Sequence, residues 1–118
     1  MLDNLSVQNI YLACGATDLR KSIDGLAAII QFQLKKNLFE PSLFVFCNTR
    51  RNKLKILFWD HNGFWLYYRR LEKGTFKWLN SNEEKSLSLS KREFNNLLMG
   101  LNFDFKKGHK KITVKQMF

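Results

Sequence analysis

The chain has 118 residues, 45% of them hydrophobic, including eleven Phe and three Trp; this supplies one core without disulfides or metals and excludes an intrinsically disordered protein. Twenty Lys and Arg stand against ten Asp and Glu, a formal net charge of +10, which favours polyanionic partners. No apolar run reaches the roughly 18 residues of a membrane span, and no secretory leader is visible, so the expectation is a cytoplasmic protein with no membrane partner.

In chain order, residues 7–13 alternate weakly and read as a first strand. Leu19, Ile23, Leu26, Ala27, Ile30 and Leu34 then draw one apolar stripe on a helix. Thr17 or Ser22 is its cap, and Lys35-Lys36 lie at the end where the helix dipole favours cations. Gly25 in the first turn costs about 1 kcal/mol against Ala, which calls for close packing or a ligand there. Residues 37–42, with the single Pro, form a connection. Residues 43–47 are a continuous apolar run that suits a strand buried on both faces. Two further strands, 54–60 and 64–71, flank the hairpin signal Asp60-His61-Asn62-Gly63. Glu72-Lys73-Gly74 makes another turn, and 75–79 reads as one more strand. After Leu87 and Leu89, which alternate with serines, Ser90-Lys91-Arg92-Glu93 fits a capping box. It opens a short helix carrying Phe94, Leu97 and Leu98 and ending near Gly100.

The fold class expected is α+β: an antiparallel β-meander of about four to five strands with two packed helices. Residues 1–105 form a single domain. Residues 106–118, with five lysines and no acid, form a basic tail expected to be mobile.

A two-residue hairpin loop sets the faces of the central pair, whereas a three-residue loop would exchange the partners. One face holds Lys53, Lys55, Leu57 and Trp59 with Phe64, Leu66, Tyr68 and Arg70; the other holds Leu54, Ile56 and Phe58 with Trp65, Tyr67 and Arg69. The first face mixes cations with aromatic rings, as nucleic-acid surfaces do: cations neutralise phosphates and rings stack on exposed bases. The alternative is that the rings are core and only the cationic heads reach water. Arg50, Arg51 and Lys53 crowd one tight turn, where they repel one another unless an anion lies between them. The residues read as nucleic-acid-binding are therefore Arg50, Arg51, Lys53, Lys55, Arg69 and Arg70, with Lys106, Lys107, Lys110 and Lys111 adding diffuse attraction.

Catalysis finds little support. Asp18, Asp24 and Asp60 would have to converge on a metal for a nuclease-like reaction, and the chain has neither a nucleophile elbow nor a glycine-rich phosphate loop. Cys14 and Cys47 lack any metal-site spacing and read as buried free thiols. The reading is no catalytic residue, no metal site and no cofactor.

These residues also carry a resemblance. The run from Tyr11 through Cys14-Gly15-Ala16-Thr17-Asp18-Leu19-Arg20-Lys21-Ser22 to Leu26 resembles the opening signature of the TnpB-type accessory proteins, products of the second open reading frame, of the IS-sixty-six class of bacterial insertion sequences. Leu43 to Asn48, Arg50-Arg51, Lys55-Ile56-Leu57, Trp59-Asp60, Asn62 to Leu66 and Arg70 to Gly74 resemble the remainder, over roughly residues 10–101. Thr49 departs from the more basic arginine turn associated with that family. The resemblance implies a role beside a separate transposase that carries the catalytic acids, and no catalytic residue here. The expected function is a non-enzymatic transposition accessory protein binding DNA or the transposase–DNA complex. The alternative is a protein adaptor that grips the transposase without touching DNA.

Overall fold

A computed structural model describes residues 7–80 and 83–100. Five strands form one sheet: β1 (Asn9–Ala13), β2 (Ser42–Cys47), β3 (Lys53–Asp60), β4 (Gly63–Arg70) and β5 (Ser86–Leu89). Their order across the sheet is β4-β3-β2-β1-β5. Helix α1 (Ile23–Ala28) continues as a π-helical stretch, Ile29–Gln33, and helix α2 is Lys91–Leu98. The fold is α+β, as expected, and the sheet is mostly antiparallel.

One ladder departs from a pure meander. β1 and β2 run parallel, with Ile10 opposite Leu43 and Leu12 opposite Val45. The physical reason lies in the connection: a helix between two strands carries the chain back to the end of the sheet where the first strand began, so the strands enter the sheet in the same direction. β5 then returns antiparallel to the free side of β1.

β2 is buried along its whole length, as a continuous apolar run requires when both sheet faces are covered. On one face Phe44, Phe46 and Leu57 pack with Leu26 and Ile30 of the helical crossover. On the other, Leu43, Val45, Leu54, Ile56 and Phe58 pack with Phe94 and Leu97 of α2 and with Phe76, Trp78 and Leu79. Residues 75–79 were expected to form a strand and do not. Their backbone bonds at isolated points, Phe76 N–H to the Arg51 carbonyl at 2.7 Å and Gly15 N–H to the Leu79 carbonyl at 2.9 Å. Three large apolar side chains pull the segment across the sheet face as a cover, which removes it from the plane of the ladder.

The crossover helix begins later than the apolar stripe predicts. Leu19 stays in the loop because the Asp18 carboxylate accepts from the Arg20 N–H and guanidinium, a local arrangement that competes with helical bonding. Ser22 occupies the N-cap position without a side-chain cap bond. Gly25 has a packing reason: a Cβ there would stand 3.0 Å from Lys21 Cβ. The π-helical turn is closed by Leu34 N–H to the Ile29 carbonyl at 2.9 Å, and Lys35, at φ 55°, ends it. α2 follows its sequence signals closely. Glu93 N–H donates to Ser90 Oγ at 3.0 Å and Ser90 N–H to Glu93 Oε1 at 2.7 Å. Gly100, at φ 74°, terminates it.

Candidate functional site

The parallel β1–β2 pair brings the segments that follow both strands to one end of the sheet. Between them opens a groove of about 800 Å³. One wall is the loop 16–20 after β1; the other is the turn after β2, with Asn48, Arg50 and Asn52. The floor is Lys53 and Lys55 of β3 and Leu66 and Tyr68 of β4. These floor residues share a face because β3 and β4 pair with Lys55 opposite Tyr68 and Leu57 opposite Leu66, the register the two-residue loop predicts. His61, at φ 55°, makes that loop.

Each part of the groove is held. In the first wall Asp18 grips Arg20 with contacts of 3.0 Å to Nε and 2.7 Å to Nη2. The hydrogen-bonded guanidinium holds the Asp18 carboxyl well below the usual carboxylate range. The pair is exposed, so it adds little stability; its effect is to fix Arg20 at the groove. In the second wall Asn48 organises the turn: its Oδ1 accepts from the backbone N–H of Asn52 and Lys53 at 3.1 and 3.0 Å, and its Nδ2 donates to Asn52 Oδ1 at 2.8 Å. Lys55 Nζ donates to the Lys21 carbonyl at 2.9 Å and lies 5.9 Å from the centre of the Tyr68 ring. Arg50 is exposed at the turn, and neither it nor Lys53 has a side-chain hydrogen bond or ion pair to a described residue.

Arg20, Arg50, Lys53 and Lys55 thus face the groove with Asp18 as the single carboxylate among its lining residues. Four cations around one carboxylate leave an excess that an anion relieves. Guanidinium and ammonium donors at a groove edge suit phosphate oxygens.

The other cations named from the sequence do not join them. Arg51 adopts φ 64° and turns its Nη2 to Asn80 Oδ1 at 2.6 Å. Arg69 lies on the opposite sheet face, where Nη1 donates to the Leu98 carbonyl at the end of α2 and the guanidinium stands 6.0 Å from the Phe76 ring. Arg70 pairs with Glu72 at 2.8 Å. Lys106, Lys107, Lys110 and Lys111, and the division at residue 105, lie outside the described residues. Arg69 therefore couples β4 to α2, and Arg69→Ala is expected to lower stability by about 1–2 kcal/mol in urea unfolding. Arg50→Ala at the exposed turn is expected to stay within about 0.5 kcal/mol.

Arg20 is the groove residue that sequence reasoning missed. It sits more than thirty positions before the hairpin cations, and only the parallel pairing of β1 with β2 brings the two together. The strand–helix–strand order was the signal that could have found it.

The aromatic residues divide. Trp59 packs edge-on against Phe64 and Phe39, both with ring centres at 4.9 Å. Trp65 and Tyr68, each exposed over half its surface, point to opposite faces of β4, so they do not make one apolar patch. The acids divide too: Asp18 is taken by Arg20, and Asp60 accepts from Trp65 Nε1 at 3.1 Å. Among the described residues no three His, Cys, Asp or Glu stand together to hold a metal ion. Both cysteines are free; Cys47 is buried and Cys14 only partly so. Burial, with the Glu84 charge, pushes the Cys14 thiol up to about 12. Burial outweighs Arg51 at Cys47 and pushes it up to about 11. Neither is a thiolate at neutral pH. No helix among the described residues is long and apolar enough to cross a membrane.

Fold and site together define a small basic α+β protein with an open cationic groove beside its sheet. Within that class the chain belongs to the IS66 Orf2-like proteins: the family model described as "IS66 Orf2 like protein" matches residues 8–108, beyond the span over which the motifs carried the resemblance. Membership puts it among the accessory proteins of these insertion sequences and implies association with their transposase. Two relatives are uncharacterized proteins of Sinorhizobium fredii. One, y4hO, is 33% identical over 94 residues, covering 80% of this chain and 81% of the relative. The other, y4jC, is 30% identical over 94 residues, covering 80% of each. No solved structure matches the chain.

Proposed function

We propose that the chain is a non-enzymatic, cytoplasmic accessory subunit of transposition that holds DNA, alone or in the transposase–DNA complex, through phosphate contacts in this groove. Arg20, Arg50, Lys53 and Lys55 make the contacts. Arg70, opposite Lys53 in the β3–β4 ladder, and Lys106, Lys107, Lys110 and Lys111 add diffuse attraction. Arg51 and Arg69 act through the fold. The observation that carries this reading is the convergence of four cations, Arg20 from the loop after β1 and Arg50, Lys53 and Lys55 from a turn and strand far along the chain, on one groove with a single carboxylate among its lining residues.

The test is binding of labelled duplex carrying the terminal repeats of the parent element, against random duplex, across a salt series. Affinity is expected to fall steeply with salt, because each neutralised phosphate releases counterions. Preference for the ends would make this a site-specific subunit; equal binding would leave targeting to the transposase. Absence of binding at low salt would overturn the DNA reading in favour of the adaptor. Phe39, more than half exposed against Trp59 and Phe64, is the feature that would serve an adaptor. Phe39→Ala would then weaken capture of the transposase and leave DNA affinity unchanged.

A further inference from the structure

We propose that the groove takes an unpaired nucleotide of single-stranded DNA: a backbone phosphate among Arg50, Lys53 and Lys55, and the base stacked on the ring of Tyr68. The inference rests on the DNA reading above and names the form of DNA that the groove accepts.

Three observations carry it. Tyr68 is 55% exposed, although Leu57 and Leu66 on the same sheet face pack into the core under the helical crossover. The crossover thus covers this face as far as Leu66 and stops short of Tyr68, whose ring is left open together with the exposed Arg70 beyond it. β4 is the outermost strand of the sheet, so among the described residues no further strand lies beside the ring. Finally, the ring lines the same groove as the cations; Lys55 Nζ, held by the Lys21 carbonyl at 2.9 Å, stands over one face of it, 5.9 Å from the centre, so the base stacks on the other face. A phosphate at the ammonium and a base on the ring are then neighbours, as they are along a nucleic-acid strand.

The face of a base in a duplex is covered by the bases above and below, so an aromatic ring reaches one only when the base is unpaired. A duplex offers this groove phosphates and nothing for Tyr68 to stack on. A single strand offers both, and its binding gains the stacking contribution in addition to the phosphate contacts.

The experiment uses the full chain and fluorescein-labelled oligothymidine of about 12 nucleotides, within the usual range of single-strand sites, with a duplex of equal length at the same salt. The single strand is expected to bind more tightly. Tyr68→Ala is expected to lower single-strand affinity at least about fivefold and to move the single-strand to duplex ratio toward one. Tyr68→Phe, which keeps the ring, is expected to stay within about twofold of the parent. Equal affinity for both forms, with a ratio that Tyr68→Ala does not move, overturns this inference while the persisting duplex binding leaves the DNA reading standing. No binding of either form at low salt overturns both. Oligouridine is expected to compete no better than oligothymidine; a clear preference for the ribose strand overturns the assignment to DNA.

Discussion

Exchanging Arg50 and Lys53 for glutamate should lower DNA affinity by roughly a hundredfold at moderate salt and flatten the salt dependence by about two phosphate contacts. Both side chains line the groove and neither is tied to another described side chain. Reversal therefore removes two donors and adds two repulsive charges without breaking a structural bond. Lys53 does belong to β3, but glutamate keeps the backbone N–H that donates to Asn48 Oδ1. Folding should hold, as checked by an unchanged urea midpoint, while anisotropy titrations across salt read the loss. The result that counts against the groove is an affinity and slope equal to the parent's in a folded protein. Reversal of Arg51 is a poorer test. Its guanidinium ties the turn to Asn80, so lost binding there mixes a lost charge with a loosened turn.

The largest expected loss of stability is at Trp78. Its indole is 1% exposed in the core under the sheet, and Nε1 donates to the Ala13 carbonyl at 2.9 Å. Trp78→Ala removes the largest buried side chain, opens a cavity and leaves that carbonyl without its partner. The cost is about 3–5 kcal/mol, a large share of the 5–15 kcal/mol that typically holds a domain together. Trp78→Phe keeps most of the apolar bulk and is expected to cost about half as much. Urea unfolding of the two variants separates packing from the hydrogen bond. A cost under about 1 kcal/mol for the alanine variant would mean that residues 75–79 are not part of the core.

Much of the fold is legible in the sequence because its local signals agree. The capping box at Ser90 and Glu93, the left-handed stop at Gly100, the turn at Asp60 to Gly63 and the doubly buried strand β2 each rest on residues within a few positions of one another. The hairpin signal carries furthest, since a two-residue loop fixes which side chains share a face over all eight residues of each strand. What escapes local reading is set by distant contacts. Phe76 and Trp78 alternate as a strand would, yet the open face of the sheet draws them inward together with Leu79. Arg51 and Arg69 look as available for phosphate as Arg50 until Asn80 and the Leu98 carbonyl come within reach. The groove was half legible: the hairpin and its turn displayed Arg50, Lys53, Lys55 and Tyr68. Arg20 was hidden because the direction of β1 depends on the crossover that follows it.

That crossover has a thermodynamic consequence. The two walls of the groove are joined in space through the β1–β2 ladder and the Lys55 bond to the Lys21 carbonyl, and an unfolded chain has no such juxtaposition. A ligand that spans both walls binds the native state far more tightly than the unfolded chain, so mass action makes occupancy and foldedness one linked equilibrium. At a free ligand concentration one hundred times its dissociation constant the native state gains about 2.7 kcal/mol. A protein of this size thus becomes markedly harder to unfold once engaged, and the parallel pair is the joint through which that gain reaches the rest of the sheet.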